Sequence, residues 1–93
     1  MRYRSFFFRG PDSRHNLRAQ NLAVFCQIAE GIDEPTWMFH LQNGDYSRWF
    51  RDAVKDDYLA DEMERIERRN DLSPEQARHL VRELVAARYT LPE

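Results

Sequence analysis

Cysteine occurs once in this chain, at Cys26, so no disulfide can close within it, which fits a reducing compartment. Glycine is scarce, with only Gly10, Gly31 and Gly44, and none stands in a phosphate-cradling or dinucleotide-binding fingerprint. Lysine is limited to Lys55, so the cationic side chains are almost all Arg, whose planar fork suits carboxylates and phosphates. No run approaches the roughly 20 apolar residues of a membrane span. The first residues, Met-Arg-Tyr-Arg-Ser-Phe-Phe-Phe, lack the long apolar core of a signal peptide. These absences lead to an expectation of a cytoplasmic protein with no membrane association.

The apolar fraction is 42% and the aromatic fraction 13%, enough for a folded core built around rings although 32% of residues are charged. Ninety-three residues suit one domain spanning 1–93. The net charge of −2 is uneven, with a basic first third and an acidic remainder. That imbalance is too small to announce a nucleic-acid face. Its one supporting feature is the set of arginines around Phe6, Phe7 and Phe8.

Apolar spacing gives a mostly α fold, a compact bundle of about five short helices with one short N-terminal strand or extended arm. Residues 3–8 read as that strand and stop at Gly10-Pro11-Asp12. No second β-like run is evident, so the strand is expected to lie on the helices or to add to a sheet elsewhere. A first helix is expected over 16–30, with Leu22, Phe25, Ala29 and Ile32 on one stripe and Gly31 as its stop. A second is expected over 34–42, capped by Asp33 with Pro35 in its first turn. A third is expected over 46–55, capped by Asp45, with Tyr46, Trp49, Phe50, Ala53 and Val54 inward.

The fourth helix is expected over 58–69, with Leu59, Met63 and Ile66 buried and the adjacent pair Asp56-Asp57 capping it. Asp61–Arg65 and Glu64–Arg68 are its surface pairs. Ser73-Pro74-Glu75-Gln76 carries a capping-box signature and opens a fifth over 74–88, with the chain leaving at Pro92.

Catalytic and metal chemistry find little support. His15, Cys26, His40 and His79 have no zinc-ligand spacing. Cys26 lies beside an apolar stripe, where a thiol is normally inert. Neither Ser5, Ser13, Ser47 nor Ser73 stands in a nucleophile elbow. Asp56 and Asp57 are adjacent, so on a helix they diverge by about 100° and cannot converge as an acid–base pair. No cofactor is expected.

One constellation remains. His40, Asp45, Tyr46, Ser47, Arg48, Trp49, Arg51 and Asp56 fall within seventeen residues around a tight glycine turn. Read as structure, they form a polar corner fixing the angle between two helices, with His40 oriented by Asp45 or Asp56. Read as a site, His40, Asp45, Arg48, Trp49, Arg51 and Asp56 bind a ligand or partner, the arginines supplying charge and the Trp49 ring stacking.

The string from His40 through Asn43, Asp45, Tyr46 and Trp49 to Arg51, followed by Lys55-Asp56-Asp57-Tyr58-Leu59-Ala60, resembles a family. It is the C-terminal accessory helical module of haloacid-dehalogenase-like, sugar-phosphatase-like hydrolases. The string is also similar to an uncharacterised small helical domain family. Phe6-Phe7-Phe8-Arg9-Gly10, Asn16-Leu17 and Arg88-Tyr89-Thr90 extend the likeness over nearly the whole chain. The resemblance implies an appended domain without the hydrolase's nucleophilic aspartate motif, which has no counterpart here. Its expected partners are the catalytic domain of the same protein or a second copy. The alternative is a sensor of a small anion, such as a sugar phosphate, using Arg48, Arg51 and Trp49.

Overall fold

The computed structural model describes residues 4–13 and 15–89. The start of the expected strand at Tyr3 and the exit at Pro92 lie outside them. The chain is mostly helical. Two strands, β1 (Phe6–Phe8) and β2 (Leu17–Ala19), precede five helices. These are α1 (Leu22–Gly31), α2 (Glu34–Gln42), α3 (Asp45–Trp49), α4 (Asp57–Arg68) and α5 (Pro74–Arg88).

The strand is not alone. β1 pairs antiparallel with β2, placing Phe6 opposite Ala19 and Phe8 opposite Leu17. The first helix therefore starts at Leu22 instead of 16, because residues 17–19 satisfy the backbone of β1. Asn21 caps it, its Oδ1 accepting from the Val24 amide at 2.9 Å. Phe6 and Phe8 face the core and Phe7 faces out, as strand alternation requires.

Gly31 does not end α1 by a left-handed turn. It is the last helical residue, and extended Ile32 breaks the helix. The exposed carbonyl end is closed by Arg78 of α5. Its Nη1 donates to the carbonyls of Ala29 and Glu30, each at 3.1 Å, and its Nη2 to Ile32 at 2.5 Å.

Helices α2 and α5 match the expected spans. Asp33 caps α2 through the Thr36 amide, and Ser73 and Gln76 form the reciprocal box on α5. The expected third helix is two pieces. After α3, residues Phe50–Val54 form a wide π-helical turn that closes on Lys55 at φ +63°. On α4, Glu64 pairs with Arg68 at 2.8 Å, whereas Arg65 turns to Glu62 and Asp61 reaches Arg51.

The core is aromatic at its centre. Phe25 is fully buried, with the rings of Phe6, Phe8, Tyr46, Trp49 and Phe50 all within 5.7 Å of its own. Those rings come from β1, α1, α3 and the π turn, so ring packing fixes how the small sheet sits on the helices. Leu59, Met63, Ala77, Val81 and Val85 complete the core from α4 and α5.

Candidate functional site

The corner between α2 and α3 is built on His40, whose side chain is 7% exposed. Its Nε2 accepts backbone N–H groups from Arg9 at 3.2 Å and Gly10 at 3.1 Å. A nitrogen that accepts carries no proton, so the fitting tautomer is neutral with hydrogen on Nδ1. Nδ1 stands 2.8 Å from Asp45 Oδ2, to which it donates. One imidazole thus joins the segment after β1 to α2 and to the start of α3.

Asp45 does not cap α3. The cap position is Gly44, left-handed at φ +70°, and makes no side-chain bond. Asp45 is the first helical residue, and its carboxylate is drawn away to His40 and to Arg48 Nη1 at 3.1 Å.

Tyr46 is fully buried, stacked on Trp37 with ring centroids 4.7 Å apart. Its hydroxyl donates to the Trp37 carbonyl at 3.0 Å, and burial pushes the phenol far above its ordinary range. The Trp49 ring stacks on Phe25, and its indole N–H donates to the Arg4 carbonyl.

The expected constellation therefore divides. His40, Asp45 and Arg48 are brought together. Trp49 belongs to the core, only 6% exposed. Asp56 is elsewhere, accepting from Arg88 Nε at 2.8 Å, the Tyr89 hydroxyl at 2.6 Å and the Leu59 amide at 3.0 Å. The Arg88 bond, with help from Tyr89 and Leu59 and against some burial, holds its carboxyl down at about 2. Of the expected pair, Asp56 is the α4 cap, and it is also a clasp on the end of α5. Among the described residues it makes no hydrogen bond to His40; of the two aspartates, Asp45 is the one that orients that ring.

Arg51 leans over α4. It reaches Asp61 at 2.7 Å, Glu64 at 3.4 Å and Asp57 at 3.5 Å. The Asp61 bond is the main cause that raises its guanidinium pKa further.

Arg48 and Arg51 nonetheless line one open groove of about 430 Å³, between the start of α3, the π turn and the end of α4. Gly44, Ser47, Asp52, Glu64, Glu67 and Arg68 line it too. The sequence carries no expectation for Glu67, and for Arg68 only that of a surface pair with Glu64. Glu67 stands four residues after Met63 and seven after Ala60, both fully buried, so a lone acid on that apolar stripe was the available signal. Its Oε2 accepts the Ser47 amide at 3.1 Å, and its Oε1 is buried with no partner among the described residues. Burial raises its carboxyl pKa against the opposing hydrogen bonds from Ser47.

Among the described residues, no three His, Cys, Asp or Glu side chains gather as a metal site. Cys26 is buried and lies apart from the groove. No described helix is long and apolar enough to cross a membrane. No protein-family model matches the chain, nor does any curated protein or solved structure.

Proposed function

We propose that this chain works by contact, as a non-catalytic accessory or interaction domain of a larger enzyme in the cytoplasm. The likeness quoted above makes a haloacid-dehalogenase-like phosphatase the proposed host. In that role it contributes to domain packing, self-association or regulation of a neighbouring active site.

The observation that carries this reading is the exposed apolar surface of the small sheet. Phe7 is 37% exposed on the outer face, and Leu17, paired with Phe8 and so on the opposite face, is 43% exposed at the ribbon's end. Large apolar side chains held outward on a rigid ribbon suit burial against another surface. The polar corner supports the same reading, because His40 already uses both ring nitrogens internally.

The test is sedimentation of the chain alone and with a phosphatase catalytic domain, using Phe7→Ser and Leu17→Ser as probes. The reading expects association that either variant weakens. A chain that both stays monomeric and ignores the catalytic domain, or that hydrolyses a phosphate monoester by itself, contradicts it.

One observation favours a second reading, recognition of a small anionic ligand. Arg48 and Arg51 border the same groove, and Arg68 adds a third guanidinium. Trp49 takes no part in this version, its ring being in the core.

A further inference from the structure

We infer that the groove between α3 and α4 binds a small zwitterion of the α-amino-acid class, its carboxylate taken by Arg48 and Arg68 and its ammonium by Asp52 and Glu67. This rests on the small-ligand reading and narrows it to a chemistry.

The argument turns on which polar groups are already used. Arg48 spends one nitrogen on Asp45, and Arg68 spends one on Glu64. Each guanidinium has five N–H donors, so both keep most of theirs. Their side chains are 66% and 78% exposed, free to reorient toward an occupant. Arg51 differs, since three carboxylates of α4 already surround it. It serves as a fixed wall.

The unused acceptors in the same groove are acidic. Asp52 makes no ion pair or hydrogen bond among the described residues. Glu67 leaves Oε1 unpartnered, with its other oxygen fixed on the Ser47 amide. A buried carboxylate oxygen without a donor is costly, so Glu67 gains by turning Oε1 outward to an ammonium in the groove.

A simple anion meets Asp52, Glu64 and Glu67 as well as the arginines, and a simple cation meets the reverse. A molecule bearing both charges matches both sets. The volume, about 430 Å³, lies within the range for small-molecule sites. The backbone supports the placement. The π turn at Phe50–Val54 carries both Arg51 and Asp52, and wide turns of this kind recur at functional sites.

The experiment is an amide NMR titration of the 93-residue chain with pools of the standard L-amino acids. Parallel titrations use isobutylamine, isobutyrate and inorganic phosphate. The expected result is saturable movement of the Gly44, Ser47 and Asp52 amides with at least one amino acid, and none with the probes that carry charge of one sign only. Arg48→Ala and Glu67→Gln should each weaken that binding about tenfold or more, the loss of one charge-assisted contact. If Glu67→Gln does not fold, exposed Asp52→Asn takes its place. Equal movement by phosphate or isobutyrate overturns the zwitterion and leaves the anion reading standing. No movement by any probe removes both.

Discussion

Gly10 donates its amide N–H to Nε2 of His40 at 3.1 Å, across thirty positions of sequence. The bond is possible because Gly10, at φ +74°, brings the backbone close to α2. Replacing His40 by Phe keeps the ring but leaves the N–H groups of Arg9 and Gly10, and Asp45 Oδ2, without this partner. Buried orphans of this kind cost about 1–3 kcal/mol each. His40→Phe should therefore lower unfolding free energy by about 2–4 kcal/mol in urea titration. A loss within error of zero would show that the corner does not hold the helices.

Gly10 and Gly31 should respond oppositely to alanine. A Cβ on Gly10 would stand 2.5 Å from Thr36 Oγ1, a hydroxyl fixed by Asp33, at a backbone angle that alanine disfavours. Gly10→Ala should cost about 1–3 kcal/mol. A Cβ on Gly31 meets nothing within 4 Å and has no positive φ to resist it. Gly31→Ala should raise stability by up to about 1 kcal/mol through helix propensity. Paired melting curves decide both, and equal shifts in the two variants would contradict the argument.

What the sequence disclosed follows from the range of the interaction. The ends of α2 and α5 were legible because Asp33, Ser73 and Gln76 act on amides three residues away. The aromatic core was legible from helical spacing. β2 was not, because Leu17-Arg18-Ala19 has weak strand character and becomes a strand only through pairing with β1. Asp45 looked like a cap by local rules, and His40 outcompeted the helix amides for its carboxylate. The π turn had no sequence mark. Of the candidate site, Arg48 and Arg51 were legible and do share a groove. Asp56 and Trp49 were drawn off by Arg88 and Phe25, partners distant in sequence.

Arg78 should prove a structural residue despite its charge. Its guanidinium closes the carbonyl end of α1 at three positions and lies 5.7 Å from the Trp37 ring centroid. A cation there also opposes the negative end of the helix dipole. Arg78→Ala should cost about 2–3 kcal/mol, since hydrogen bonds from a charged group are worth about 1.5–3 kcal/mol each and water replaces some of them. Lysine lacks the fork that reaches three carbonyls, so Arg78→Lys should recover less than half of the loss. Full recovery by lysine would mean that charge alone matters.

Cys26 should resist thiol reagents while the domain is folded. Burial, only partly offset by nearby Arg82, pushes its thiol up to about 11, so little thiolate exists at pH 8. An aromatic disulfide reagent should react slowly with native protein and at once in denaturant. Rapid native reaction would mean that the face of α1 carrying Cys26 opens readily.

The Asp56 clasp should make stability fall in acid. Its folded carboxyl is held at about 2, mainly by Arg88, below the ordinary value of 3.8. A depressed acid stabilises fully above its unfolded pKa and loses that contribution as pH falls through the folded one. The window is therefore from about pH 4 down to pH 2, and the contribution is on the order of 1 kcal/mol after allowing for solvent screening. Glu67 acts with the opposite sign. Burial raises its pKa, so its ionised form costs stability at neutral pH and that cost disappears on protonation. Asp56→Asn should flatten the loss of stability between pH 4 and pH 2, and Tyr89→Phe should flatten part of it. Glu67→Gln should instead remove a gain in stability that appears above that window, as pH falls toward the ordinary carboxyl value of 4.5. Denaturant midpoints measured from neutral pH down through that window separate the two groups, and an unchanged profile in Asp56→Asn would sink the assignment of the clasp.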